Sequence, residues 1–103
     1  MVSNATQYKI NIAPEAAKEI EDIYLYIAED SPNNAIRWYF AIYEKIQTLK
    51  NFPASCPIAF EDRYYNFEIR NLIFGNYRVL YRIQDKTVQI LHVRHVARQR
   101  KPF

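Results

Sequence analysis

Hydrophobic positions along the chain change period twice. Tyr8-Lys9-Ile10-Asn11-Ile12 alternates apolar and polar with period two, which predicts a short strand. From Glu15 to Asp30 the apolar residues Ala16, Ala17, Ile20, Ile23, Tyr24, Ile27 and Ala28 recur with the helical period. The polar residues Glu15, Lys18, Glu19, Asp22 and Glu29 form the opposite, solvated face of that predicted helix. Pro14 suits its first position, and Ala13 is a poor N-cap. Ser31-Pro32 ends it and opens a second helix, with serine as N-cap and proline behind it. The second stripe, Ala35, Ile36, Tyr39, Ile42, Tyr43, Ile46 and Leu49, carries that helix to about Asn51. Two amphipathic helices joined this tightly form an antiparallel hairpin.

Phe52-Pro53 stops the second helix, and residues 53–62, with two prolines and no period, read as a loop. Period two then returns in three runs, from about Tyr65 to Phe74, from Tyr77 to Ile83, and from Thr87 to about Val96. Gly75-Asn76 is a two-residue hairpin turn whose glycine can take a positive φ, and Gln84-Asp85-Lys86 turns the chain again. The predicted class is α+β, in the order β-α-α-β-β-β, an antiparallel sheet with the helical hairpin packed on one face. The whole chain, residues 1–103, forms one domain.

In the second run Tyr77, Val79, Tyr81 and Ile83 share the face expected to meet the helices, while Arg78, Leu80 and Arg82 share the other. In the last run strict alternation puts Val88, Ile90 and His92 on one face and Leu91, Val93 and His95 on the other. Both are apolar, as in a strand covered on both sides. Two helices cover one side. Either the loop at 53–62 or a partner chain must cover the second.

Charge adds a direction. Residues 1–60 carry a net −2 and residues 61–103 a net +5, within a total of +3. A basic C-terminal half points to an anionic partner, nucleic acid or an acidic protein segment, or serves solubility alone. Half of the residues are apolar and only one is glycine, so disorder is not expected. The lone Cys56 has no disulfide partner, the N-terminal MVSNATQYK lacks the features of a signal peptide, and no apolar run is long enough to span a membrane. These features predict a cytoplasmic protein with no membrane association. The basic tail from Arg98 to Phe103 is expected to be mobile.

Candidate chemistry is limited. One glycine excludes a nucleotide-binding glycine loop, and there is no serine-nucleophile elbow. His92 and His95 stand three apart on a strand and point to opposite faces, so neither a metal site nor a cofactor is expected. The strongest signal is the set Arg70, Arg78, Arg82, Arg94 and Arg98, because guanidinium forks bind phosphate or carboxylate in pairs of hydrogen bonds. Metal-free RNA cleavage would add a base titrating near neutrality, for which His95 or His92 is available, with Glu68 behind them. Against this, His92 can equally pack in the core and His95 cap a strand end. Tyr64 and Tyr65, in the loop, could stack on bases, whereas Tyr77 and Tyr81 fit a core better.

Several blocks then fall in a recognisable order. They are Pro14-Glu15-Ala16, Ile27-Ala28-Glu29-Asp30-Ser31-Pro32, Arg70-Asn71-Leu72, Tyr77-Arg78-Val79-Leu80-Tyr81, and Val88 through His95 followed by Arg98. In order and spacing, from about Tyr8 to Arg98, the chain resembles the RelE/ParE superfamily of small bacterial toxins, and its final block looks most like the ParE branch. The resemblance implies a growth-inhibiting toxin of a type II toxin–antitoxin pair, neutralised by a cognate antitoxin that wraps it with helical and extended segments. ParE-type toxins act on DNA gyrase and are not hydrolases; RelE-type toxins cut mRNA in the ribosome.

The nuclease set is incomplete here: Lys50 is the only basic residue near the end of helix two, and no tyrosine follows His95. The expected function is a ParE-like gyrase inhibitor, with a RelE-like endoribonuclease using Arg70, Arg78 and His95, or a non-toxic binding module, as alternatives. Arg94, His95 and Arg98 are the expected target contacts. Arg78, Leu80, Arg82, Leu91 and Val93 are the expected antitoxin contacts.

Overall fold

The computed structural model describes residues 7–98; residues 1–6 and those from Gln99 on, where most of the basic tail falls, lie outside the described residues. The elements are β1 (Lys9–Ile12), α1 (Pro14–Asp30), α2 (Pro32–Gln47), β2 (Arg70–Phe74), β3 (Tyr77–Gln84) and β4 (Thr87–His95). They build a four-stranded sheet in the order β1-β4-β3-β2. The last three strands are antiparallel neighbours, as expected. β1 lies parallel to β4, with Lys9 opposite Thr87 and Ile12 opposite Ile90, so the sheet is mixed. The cause is the return path after α2. Tyr8 N–H donates to Lys50 O at 2.9 Å, fixing the end of the helical hairpin beside the start of β1, so β2 and β4 end up running in the same direction as β1.

The helices form where their stripes predict. Ala13 gives α1 no side-chain cap, whereas Ser31 Oγ accepts from Asn34 N–H at 3.3 Å and caps α2. α2 ends at Gln47, and Thr48–Lys50 continue as a tighter 3-10 turn. Ala16 and Ile20 from α1, Ile42 and Ile46 from α2, and Leu49 pack on Leu72, Val79, Tyr81, Val88, Ile90 and Val93 of the sheet. Gly75 has φ +59°, which matches its expected turn role. Asp85 turns the chain at φ +57°, a region a short polar side chain tolerates.

Two departures reshape the sheet. First, β4 is bulged. Leu80 opposes His92 and Tyr81 opposes Ile90, leaving Leu91 without a partner residue on β3. One extra residue reverses the phase of everything after it. Val93 therefore joins Val88 and Ile90 in the core beneath the helices, not Leu91 on the far side, and strict alternation fails at that point. Second, the far face is covered by the chain itself. Ala59, Ile69 and Leu80 are buried there together, with Tyr65, Phe67 and Leu91 packed against them. The covering segment is longer than the predicted loop. Phe60–Tyr64 form a 3-10 turn, residues 65–69 cross the sheet, and β2 begins only at Arg70 instead of Tyr65.

Candidate target-binding cleft

β1 is four residues long and β4 nine, so β4 outruns its neighbour after Ile90. The exposed edge lies under α1, and Glu19 reaches it. Its Oε1 accepts from Val93 N–H at 2.9 Å, as a neighbouring strand's carbonyl would. The same carboxylate lies 3.2 Å from His92 Nδ1 and 3.8 Å from Arg94 Nη2. The sequence places Glu19 on the solvated face of α1; the structure makes it the clip between helix and strand. A backbone donor left without its strand partner supplies the reason.

Beyond Glu19 a cleft of about 850 Å³ opens between α1 and the end of β4. Asp22, Ile23 and Tyr26 form the helical wall; Asn76, Tyr77, Arg94, His95 and Ala97 form the other. Arg94 and His95 are thus brought together, and Arg98 closes the 3-10 turn Val96–Arg98 that follows them. Burial lowers the Arg94 pKa from its usual value, opposed by the carboxylates of Glu19 and Glu61. The His95 ring meets Tyr77 edge-on at 5.3 Å, and Tyr77 meets Trp38 at 5.4 Å, so an aromatic row backs this end of the sheet.

His95 Nδ1 accepts from Ala97 N–H at 3.0 Å. That bond places the ring proton of neutral His95 on Nε2, which then donates and has no lone pair to take a proton. In that tautomer the ring presents Nε2–H as a donor.

The three residues that a nuclease would combine are separated. Arg70 lies opposite Tyr81, whose side chain is in the core beneath the helices, so it shares that face. It is held by Glu68 and by the carbonyls of Ala54 and Cys56. Arg78 is on the far face, and His95 is at the end of the sheet opposite Tyr77.

The set expected to meet an antitoxin is not an open surface either. Leu80 is buried by Ala59 and Ile69, and Val93 lies in the core under the helices. Arg78, only 6% exposed, is bidentate on Glu61, which is fully buried, and also donates to Asn71 Oδ1 at 3.2 Å. Arg82 and Leu91 are partly exposed, with the Arg82 guanidinium 3.9 Å over the Phe67 ring. One apolar surface that does stand open is on the outer side of the helical hairpin. Tyr24, Ile36, Tyr39, Phe40 and Tyr43 line a groove of about 560 Å³ there. Phe40 is 68% and Ile36 46% exposed. Ile36 belongs to the predicted stripe of α2 and Phe40 lies outside it, and only the tertiary packing decides which part of a wide stripe faces out.

This architecture, a helical hairpin on a mixed sheet with a basic C-terminal edge, is that of the RelE/ParE-like α+β proteins. The sequence model for the ParE toxin of type II toxin–antitoxin systems (parDE) matches residues 10–100, and the chain belongs to that family. Among solved structures it is similar to a chain of the chromosomal ParDE toxin–antitoxin system from P. aeruginosa. The TM-score is 0.72 at 19% identity, covering 88% of this chain and 98% of that one. It is also similar to a chain of the RelBE2 toxin–antitoxin complex from Mycobacterium tuberculosis, with TM-score 0.60 at 24% identity, covering 86% and 98%. A third is the archaeal RelE–RelB complex from Pyrococcus horikoshii OT3, with TM-score 0.58 at 16% identity, covering 90% and 99%. No curated protein is significantly similar in sequence. Among the described residues no helix is long and apolar enough to cross a membrane, and no cluster of side chains has metal-ligand geometry.

Proposed function

We infer that this toxin acts by binding DNA gyrase through the Arg94–His95–Arg98 end of the sheet and that it is neutralised by a cognate antitoxin. The observation that carries the reading is the state of His95. Its acceptor nitrogen is committed to Ala97 N–H, while Arg70 and Arg78 lie on opposite faces of the sheet. Ribosome-dependent RNA cleavage needs a base and a phosphate clamp at one place; binding a large target needs only a rigid, charged, accessible edge. The ParE family match and the likeness to a ParDE chain support the same side of the choice.

The antitoxin docks on the outer groove of the helical hairpin. Open apolar surface of this kind marks a protein contact, and the solved relatives come from toxin–antitoxin systems. The test is a supercoiling assay with purified gyrase and relaxed plasmid. Wild-type protein is expected to inhibit, His95→Ala and Arg94→Ala to inhibit at least tenfold less well, and Phe40→Asp to inhibit normally while escaping the antitoxin. Codon-phased cuts in translated mRNA with no effect on gyrase would replace this reading with the endoribonuclease one.

A further inference from the structure

On the far face of the sheet, Arg78 and Arg94 are direct cross-strand partners. Like charges facing each other this way repel, and each guanidinium has been taken partly out of water. Two carboxylates relieve the conflict: Glu19, 3.8 Å from Arg94 Nη2, and Glu61. The Glu61 carboxylate, 0% exposed, accepts from both terminal nitrogens of Arg78 and also acts electrostatically on Arg94. A carboxylate held by an arginine fork beside a second arginine has the hydrogen-bond pattern with which proteins hold a phosphate group.

The backbone of the segment bearing Glu61 is bonded at its stem. Ala59 N–H donates to Ile69 O at 2.8 Å and Asn71 N–H to Pro57 O at 3.0 Å. Between these points the segment forms no strand pairing with the sheet. Asp62 bonds back to Ile69 N–H within the segment, and the seat includes Ala59, Ile69, Tyr65 and Phe67 against Leu80, Leu91 and Arg82. A buried ion pair is a costly way to hold a cover down, since apolar side chains of the same volume often do as well or better.

We propose that residues 57–69 are a removable cover over a two-arginine phosphate-binding site, formed by Arg78 and Arg94, and that Glu61 occupies this site as an internal substitute for phosphate. Opening needs only the middle of the segment to lift, with the stem bonds kept. The exposed site takes one phosphate group, from a nucleic-acid backbone or from free phosphate. It shares Arg94 with the cleft proposed to meet gyrase, and its test stands apart from that reading because it measures phosphate binding with no gyrase present.

The test compares wild type, Glu61→Gln, and Glu61→Gln with Arg78→Met in phosphate-free buffer. Each is titrated by calorimetry with inorganic phosphate and, separately, with a short thymidine oligonucleotide lacking terminal phosphates. Removing the internal carboxylate is expected to tighten phosphate binding at least tenfold, and adding Arg78→Met to abolish the gain. Binding of the oligonucleotide as well identifies a backbone phosphate as the ligand; binding of inorganic phosphate alone identifies the free anion. Equal affinity for wild type and Glu61→Gln, or binding that survives Arg78→Met, overturns the proposal.

Should Glu61→Gln lose its native circular dichroism, wild-type hydrogen exchange decides. The cover is expected to exchange faster than Val79 and Val88, and faster still in phosphate than in chloride at equal ionic strength. Protection equal to Val79, or no response to phosphate, overturns it.

Discussion

Removing one partner of the Arg78–Glu61 pair should be far more damaging than removing both. Arg78→Met leaves the fully buried Glu61 carboxylate without its fork, and Glu61→Leu leaves the buried Arg78 guanidinium without its carboxylate, opposite Arg94. Breaking a buried pair in this way costs about 3–5 kcal/mol. A domain of this size has a total stability of about 5–15 kcal/mol, so either change uses up a large share of it. At roughly 4–8 °C per kcal/mol, the melting temperature should drop by about 12 °C or more.

The double variant has no stranded charge. It still loses the Arg78 donor to Asn71 Oδ1, a buried acceptor worth about 1–3 kcal/mol when left unmatched. Against that stands the gain of about 1–4 kcal/mol often seen when apolar side chains replace a buried pair. The double variant should therefore lie within about 2 kcal/mol of wild type. Urea denaturation of all four proteins, followed by circular dichroism, gives the coupling energy, expected to be at least about 3 kcal/mol. Single variants that each lose under about 1 kcal/mol and add independently would refute the reasoning, because that is how a solvent-exposed pair behaves.

Three other consequences are open to measurement. Glu19→Ala should leave Val93 N–H without its acceptor, lowering stability by about 1–3 kcal/mol and speeding exchange of that amide more than of Val88. Burial pushes the Tyr81 phenol well above its ordinary pKa of 10.0, and Tyr43 and Tyr65 shift the same way. The stability this confers is whole below about pH 10 and is lost above it as unfolded chains ionise first, at up to about 1.4 kcal/mol per pH unit for Tyr81; Tyr81→Phe should flatten the alkaline limb of a stability-versus-pH curve. Gly75→Ala meets no atom within 4 Å, so its cost is the positive φ alone, about 1–2 kcal/mol by thermal melting.

What could be read from sequence followed the strength of the local signal. The stripes of α1 and α2, the Ser31 cap and the Gly75 turn are written in adjacent residues, and each forms where it should. The bulge at Leu91 is not local. Ile90-Leu91 reads as two neighbours on opposite faces under any register, and only pairing with β3 shows that Val93 changes side. The cover over the far face was offered by the sequence as one of two possibilities. Its choice depends on Glu61 meeting Arg78 seventeen residues later in the chain, a contact no periodicity reveals. A lone Glu-Asp step in a proline-bearing loop, set before a strand region rich in arginine, was the available hint. For the cleft, Arg94 and His95 were found by residue type, while Glu19 was missed because a helix's polar face gives no sign of which carboxylate will find a strand edge.

The decisive experiment on function mixes purified gyrase, relaxed plasmid and ATP with this protein, alone and after mixing with its antitoxin. Loss of supercoiling or trapping of cleaved DNA is expected at near-stoichiometric toxin, abolished by the antitoxin and weakened at least tenfold by His95→Ala. Full supercoiling at large molar excess of correctly folded toxin would contradict the gyrase account.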